Sequence, residues 1–231
     1  MKTKQLPNID RKVYDDTDRQ RLWRWLLAWE SDRQAADEPL PDGPVPPCEP
    51  DTVAPAAGQI RLLQPRNAAT VRYPVYCAVL AAGPDGTLLT APFSRYQDPA
   101  LPGELLLSGM PPGLSVLAVW MAGLLPAGQL AFSWAAGKLK LRDLDCALEV
   151  YQAQHHGRSL PDRLRRRVGP GLHHPQDPRL EYQRQARAEW AAALEGCSAP
   201  RACTYETPAA LPRAAEPRAP YTVRPPEDPG I

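Results

Sequence analysis

Apolar residues recur with a helical period in the stretch DRQRLWRWLLAWESDRQ, where Leu22, Trp25, Leu26 and Trp29 share one face and Trp23 and Leu27 widen it. The spacing predicts a helix over 18–34, with Asp18 at its N-cap. Each of its three tryptophans offers roughly 150–250 Å² for burial. Such a face either packs on the protein's own core or docks a partner, and the pattern alone leaves both open.

The pattern then turns strand-like. GQIRLLQ (58–64) sets Ile60 and Leu62 against Arg61, and PVYCAVLAA (74–82) is rich in β-formers. A Gly83-Pro84-Asp85-Gly86 turn leads into TLLTAPFS (87–94), which together predict a hairpin. GELLL (103–107) and LSVLAVW (114–120) supply two more strands. Short sequential strands divided by Gly/Pro turns predict a small barrel or sandwich.

No charged residue lies between Glu104 and Lys138. A membrane-spanning helix needs about 20 apolar residues without serious breakers. Here Gly113 precedes the run, Gly123, Pro126 and Gly128 interrupt it, and no Lys/Arg asymmetry flanks it. The run is therefore read as the last barrel strand, a proline turn and a short helix from Ala127 to Trp134, all buried. From Lys140 an amphipathic helix follows, with Leu144, Ala147, Leu148 and Tyr151 on the face that covers one opening of the barrel. DPRLEYQRQARAEWAAALEG (177–196) predicts another helix, with Leu180, Gln183, Arg187, Trp190, Ala191 and Leu194 on a mixed face and Gly196 as its stop. Leu180, Trp190 and Leu194 would dock on the barrel or on a partner.

Composition changes this picture mainly through proline, of which there are 29 in 231 residues. They crowd 39–55 and the tail after Pro200, where missing N–H donors and fixed φ disfavour ladders and helices. The expected organisation is an N-terminal helical segment (1–38), a proline-rich linker (39–55), a barrel domain (56–154), an Arg-rich loop and helix (155–199) and an extended tail (200–231). Basic and acidic residues number 8 and 11 in 1–54, 7 and 6 in 55–154, and 12 and 9 in 155–231. No segment has the strong positive field of a non-specific nucleic-acid binder. The run DRLRRRVG (162–169) is either an RNA, DNA or acidic-protein contact or a solvated turn. Five cysteines without a CxxC pair, and no apolar signal segment at the N-terminus, lead to the expectation of a cytoplasmic protein with free thiols. The pairs His155-His156 and His173-His174, taken with Cys197 and Cys203, lack the spacing of a zinc site, so no metal or other cofactor is expected.

The order GQIRLL, VRYPVYCAVL, LLTAPFSRY, LPGELLL, SVLAVWMAGLLPAGQL and GKLKLRDLDCALEVY resembles the MazF/PemK toxin family over about residues 58–152. The resemblance implies an α+β fold, a small SH3-like β-barrel with a C-terminal helix, here flanked by helical and proline-rich extensions. In that family it implies metal-independent cleavage of single-stranded RNA, homodimers and restraint by an antitoxin peptide. Arg72 lies where the family's catalytic arginine opens the second strand, and Ser94 where its catalytic Thr or Ser ends the third. A guanidinium clamps phosphate oxygens and a hydroxyl orients or donates a proton, while Arg95 would add an RNA contact.

The chain also departs from the family. Tyr73 separates Arg72 from Pro74, Gln59 stands in place of the acid in the first strand, and MAGLLP carries no arginine. On a strand a one-residue slip turns a side chain to the other face. These departures, with an extension at each end, favour a non-catalytic regulator that binds and sequesters a protein. The partner would be a co-encoded regulator, a sigma factor or an antitoxin-like peptide, in a stress or phage-defence setting. Release would come by proteolysis at 39–55 or 155–175. Leu22, Trp25, Leu26, Trp29, Trp190 and Leu194 are the expected partner-binding residues. The alternative is a MazF-type endoribonuclease using Arg72 and Ser94.

Overall fold

The computed structural model describes residues 14–34, 53–63, 74–131 and 133–196. The proline-rich segments 39–52 and 200–231, Arg72, and Cys48, Cys197 and Cys203 lie outside the described residues. Elements run in the order α1 (Asp16–Gln34), β1 (Gln59–Leu63), β2 (Val75–Ala82), β3 (Thr87–Ser94), β4 (Glu104–Leu106), β5 (Val116–Ala118), β6 (Gly123–Pro126), β7 (Trp134–Lys138), α2 (Leu141–His155), α3 (Asp162–Arg165) and α4 (Arg179–Gly196). The class is α+β: a seven-stranded antiparallel sheet with helices.

The β2–β3 hairpin forms where its turn chemistry placed it. Asp85 adopts φ 53° and Gly86 φ 71°, the left-handed backbone that Asp-Gly tolerates. β3 is the hub of the sheet. Along one side it pairs with β2, and along the other it pairs with β6 through Thr87–Thr90 and with β5 at Phe93 and Ser94. Pro92 falls between those two neighbours, where its missing N–H breaks no ladder bond. The strand order is β4-β5-β3-β2-β1-β7 with β6 also on β3. Among the described residues the strands form a path that branches at β3, with β4, β6 and β7 at its ends, an arrangement compatible with a barrel-like fold.

Several expectations change. The charge-free run holds three strands where one was expected: β5, then β6 on the edge of β3, then β7 on β1, with 3₁₀ turns at 119–121 and 127–130. WAAGK has no β-branched residue, and it is a strand because β1 offers it a partner. α1 begins at Asp16, and its cap is Asp15, whose Oδ1 accepts from the Asp18 N–H at 2.8 Å, so Asp18 is not the N-cap.

The face expected of α2 packs inward, with Ala147 fully buried and Leu144, Leu148 and Tyr151 partly buried against the central core, but in both amphipathic helices polar residues join the inward side. α2 buries Asp143, Cys146, Ala147, Val150 and Ala153. Arg167 draws Asp143 in with a 2.5 Å contact while also donating to the Leu106 carbonyl. In α4 the buried positions are Arg179, Tyr182 and Ala193, and Arg187 and Ala191 are exposed.

The Arg-rich run is spent mostly on internal contacts. Arg163 meets Glu149, Arg165 meets Asp162 at 3.4 Å, and Arg167 straps 166–169 to β4 and α2. Arg163, Arg165 and Arg166 nevertheless remain exposed. Arg61, expected to face water from β1, is fully buried. Its guanidinium donates to Ser133 Oγ at 2.9 Å, to the Ser133 carbonyl and to the Val53 carbonyl at 3.1 Å. The strand therefore has no solvent face at this point.

Three clusters of buried side chains hold the described residues together. The central one joins strands β1–β5 to α2 through Ile60, Leu80, Leu105, Leu117 and Val150. A second is built by Trp25, Leu26, Trp29, Tyr96, Leu101 and Tyr182, joining α1 and α4 to the loop after β3. A third sets Trp190, Ala193 and Leu194 of α4 against Leu63, Cys77, Val79 and Leu130. Among the described residues no helix is long and apolar enough to cross a membrane.

Candidate functional site

Strand β3 delivers Ser94 and Arg95 to the place where α1 and α4 meet the sheet. Ser94 is buried, and its Oγ lies 3.0 Å from the Tyr182 hydroxyl and accepts from the Tyr96 N–H at 3.3 Å. Tyr182 donates in turn to Glu104 Oε1 at 2.7 Å. Glu104 Oε2 accepts from the N–H groups of Ala100 at 2.6 Å and Leu101 at 3.1 Å. A hydrogen-bonded chain thus runs from the end of β3, through α4, to a fully buried carboxyl on β4.

Burial pushes the Glu104 carboxyl above the usual glutamate range, although Tyr182 and the two backbone donors pull the other way. Burial, followed by the negative charge of Glu104, likewise pushes Tyr182 well above an ordinary phenol. Because folding raises the Glu104 pKa, its contribution to stability is complete below the ordinary glutamate range. That contribution declines as pH rises through the folded value.

Glu104→Gln removes this dependence and keeps the bonds. The amide oxygen takes both backbone donors, and the amide nitrogen donates to Tyr182, which then donates to Ser94. The stability of the native protein relative to Glu104→Gln should fall as pH rises above the ordinary glutamate range in parallel urea titrations. A flat difference would show that the carboxyl ionises without cost.

Arg95 is held as firmly. Its Nε lies 3.0 Å from Asp32 Oδ2 of α1 and donates to the Tyr96 hydroxyl at 3.1 Å, and Nη1 reaches both oxygens of Glu189 in α4 at 3.2 Å. Burial opposes its charge, but Glu189, Tyr96 and Asp32 outweigh that and raise its pKa. A few residues away Arg24 makes a bidentate pair with Asp98, at 2.8 and 2.7 Å.

These groups border a cleft of about 630 Å³. Its apolar lining comes from Val75 and Tyr76 of β2, Phe93, Met121 and Trp190, with Pro74, Pro92 and Pro112 around them. Three carboxylates (Asp32, Asp98 and Glu189) and two guanidiniums (Arg24 and Arg95) line it.

The sequence-derived candidates sort clearly. Ser94 and Arg95 meet at this cleft, while Arg72 lies outside the described residues. Leu22, Trp25, Leu26 and Trp29 are buried, all at 5% exposure or less, against the chain's own residues. Trp25 stacks on Trp29 at 5.5 Å and packs against Tyr182 at 5.3 Å and Tyr96 at 6.2 Å. Of the two readings left open for this helix face, the structure takes internal packing, although Trp25 also lines the cleft. Leu194 likewise packs against the third cluster, and Trp190 packs there while also lining the cleft.

The pattern gave no role to Glu104, Tyr182, Asp32 or Glu189. Glu104 alone left a signal, as an acid set among leucines at the edge of a long charge-free run. The four histidines are exposed, and among the described residues no group of three metal-ligating side chains converges.

No protein-family model matches the chain, and no curated protein matches it in sequence. Among solved structures it is similar to the crystal structure of a MazE–MazF complex from Deinococcus radiodurans. That similarity has 16% identity and a TM-score of 0.34, and it covers 46% of this chain and 99% of the other. At that level it fixes no residue-by-residue equivalence.

Proposed function

We propose that the protein is a non-catalytic, MazF-like regulator that holds a protein partner at the cleft between α1, α4 and the ends of β2 and β3. The observation that carries this reading is the occupation of Ser94 and Arg95 by the chain's own helices. The serine hydroxyl is buried on Tyr182, and the guanidinium is shared between Asp32 and Glu189. Neither is left to attack, orient or clamp a phosphodiester. The carboxylates on the cleft outnumber the guanidiniums, which opposes a polyanion, since phosphate contacts supply most of the affinity for nucleic acid. Half-buried aromatic and methionine side chains, with prolines around them and a few polar groups, suit a protein ligand instead. A co-encoded regulator, a sigma factor or an antitoxin-like peptide is the partner this reading takes, in a stress or phage-defence setting.

Electrostatics supplies the test. The native protein should bind a labelled single-stranded RNA oligonucleotide no better than a neutral polymer at 0.15 M salt. The double variant Asp32→Asn/Glu189→Gln, which strips Arg95 of its two carboxylates, should gain RNA affinity by about ten-fold. Tight RNA binding by the native protein, unchanged in the double variant, would count against the reading.

A further inference from the structure

The cleft has a long axis that its ion pairs define. Arg24, Ala28 and Asp32 stand at i, i+4 and i+8 on α1 and all line it, so its α1 wall extends about 12 Å at 1.5 Å per residue. One end is closed by the bidentate Arg24–Asp98 pair, whose charges cancel. At the other end Arg95 faces two carboxylates, Asp32 and Glu189, so the described residues of that cluster carry one negative charge in excess. Between the ends the α1 wall is Ala28, exposed and small, and Phe93, Tyr76 and Trp190 also line the cleft.

We infer that this cleft binds an extended, proline-containing peptide segment that carries a basic side chain at the Asp32–Glu189 end. The inference rests on the protein-partner reading above and adds the chemistry of the partner. An extended segment rising about 3.1 Å per residue places about four residues along the wall. Proline-containing segments already favour that conformation and lose less entropy on binding, and their apolar rings suit aromatic faces. The basic side chain meets the excess carboxylate. Glu189 is 45% exposed and Asp32 30%, so both remain within reach of an incoming cation. Nucleic acid is excluded by the same charge that admits the peptide.

The experiment uses the full chain and fluorescein-labelled synthetic peptides read by polarisation. Repeated Leu-Pro-Arg should bind saturably and weaken as salt rises. Repeated Leu-Pro-Glu should bind at least ten-fold more weakly, and Leu-Gly-Arg several-fold more weakly. Ala28→Trp fills the middle of the wall from an exposed helix position, so it should abolish binding without lowering the unfolding temperature. Glu189→Gln should weaken the Arg peptide and spare the Glu peptide.

Equal or tighter binding of the Glu peptide overturns the basic chemistry while leaving the protein-partner reading in place. Binding of the Arg peptide that Ala28→Trp does not disturb, or no binding of any peptide, overturns the inference. Displacement of the Arg peptide by single-stranded RNA contradicts both the inference and the reading beneath it.

Discussion

Trp25→Ala is expected to lower the free energy of unfolding by about 3–5 kcal/mol, the range for deleting a large buried aromatic side chain. The residue is 2% exposed and stands at the centre of a cluster that ties α1 to Tyr96, after β3, and to Tyr182 of α4. Its loss removes the stacking on Trp29 and opens a cavity where three elements meet. For a chain of this size the midpoint of thermal unfolding should fall by roughly 8–15 °C. Among the described residues Trp25 Nε1 is buried without a hydrogen-bond partner, so Trp25→Phe relieves one unsatisfied donor while keeping a ring in the cluster. Its cost should be well under half that of alanine. Alanine and phenylalanine variants of equal stability in urea titrations would show that the cluster does not hold α1 in place.

Arg61→Met carries the second large effect, a loss on the order of 3 kcal/mol. The methionine chain fills much the same volume, so the loss comes from polar groups left without a donor. Those groups are the Ser133 carbonyl and hydroxyl, at the junction of β1 and the start of β7, while the carbonyl of the exposed Val53 loses only this donor. Arg61→Lys should recover part of the loss, because one ammonium reaches fewer acceptors than a forked guanidinium. A methionine variant within 1 kcal/mol of the native protein would mean that water reaches the Ser133 groups and that the β1–β7 junction is not closed by Arg61.

The hairpin 74–94 was legible almost to the residue because its signals are local: β-formers, an Asp-Gly turn, β-formers again. β6 and β7 were not legible, because GLLP and WAAGK have little strand preference of their own and take it from the edges of β3 and β1. Arg61 shows the limit of reading alternation as inside and outside. A charged position on a strand is buried when carbonyls from elsewhere converge on it.

Polar residues joined the inward sides of α2 and α4 for a related reason. Asp143 and Arg179 go inward with partners that a hydrophobic pattern does not register, Arg167 for one and Asp177 with the Ala100 and Pro170 carbonyls for the other. Ser94 and Arg95 came to notice through the order of strand motifs. What surrounds them comes from positions 88 and 94 residues away in sequence, at Tyr182 and Glu189. No local pattern announces that an extension will return to occupy the end of a strand.

The central claim is that this cleft binds and does not cut, and incubation of the full chain with single-stranded RNA tests it most directly. Fragments carrying 2′,3′-cyclic phosphate ends are scored over time, beside Ser94→Ala and Arg95→Ala. The account predicts no such ends above the background of the two variants, because the hydroxyl is held by Tyr182 and the guanidinium by Asp32 and Glu189. Steady accumulation of those ends with the native protein, lost in Ser94→Ala, would contradict it.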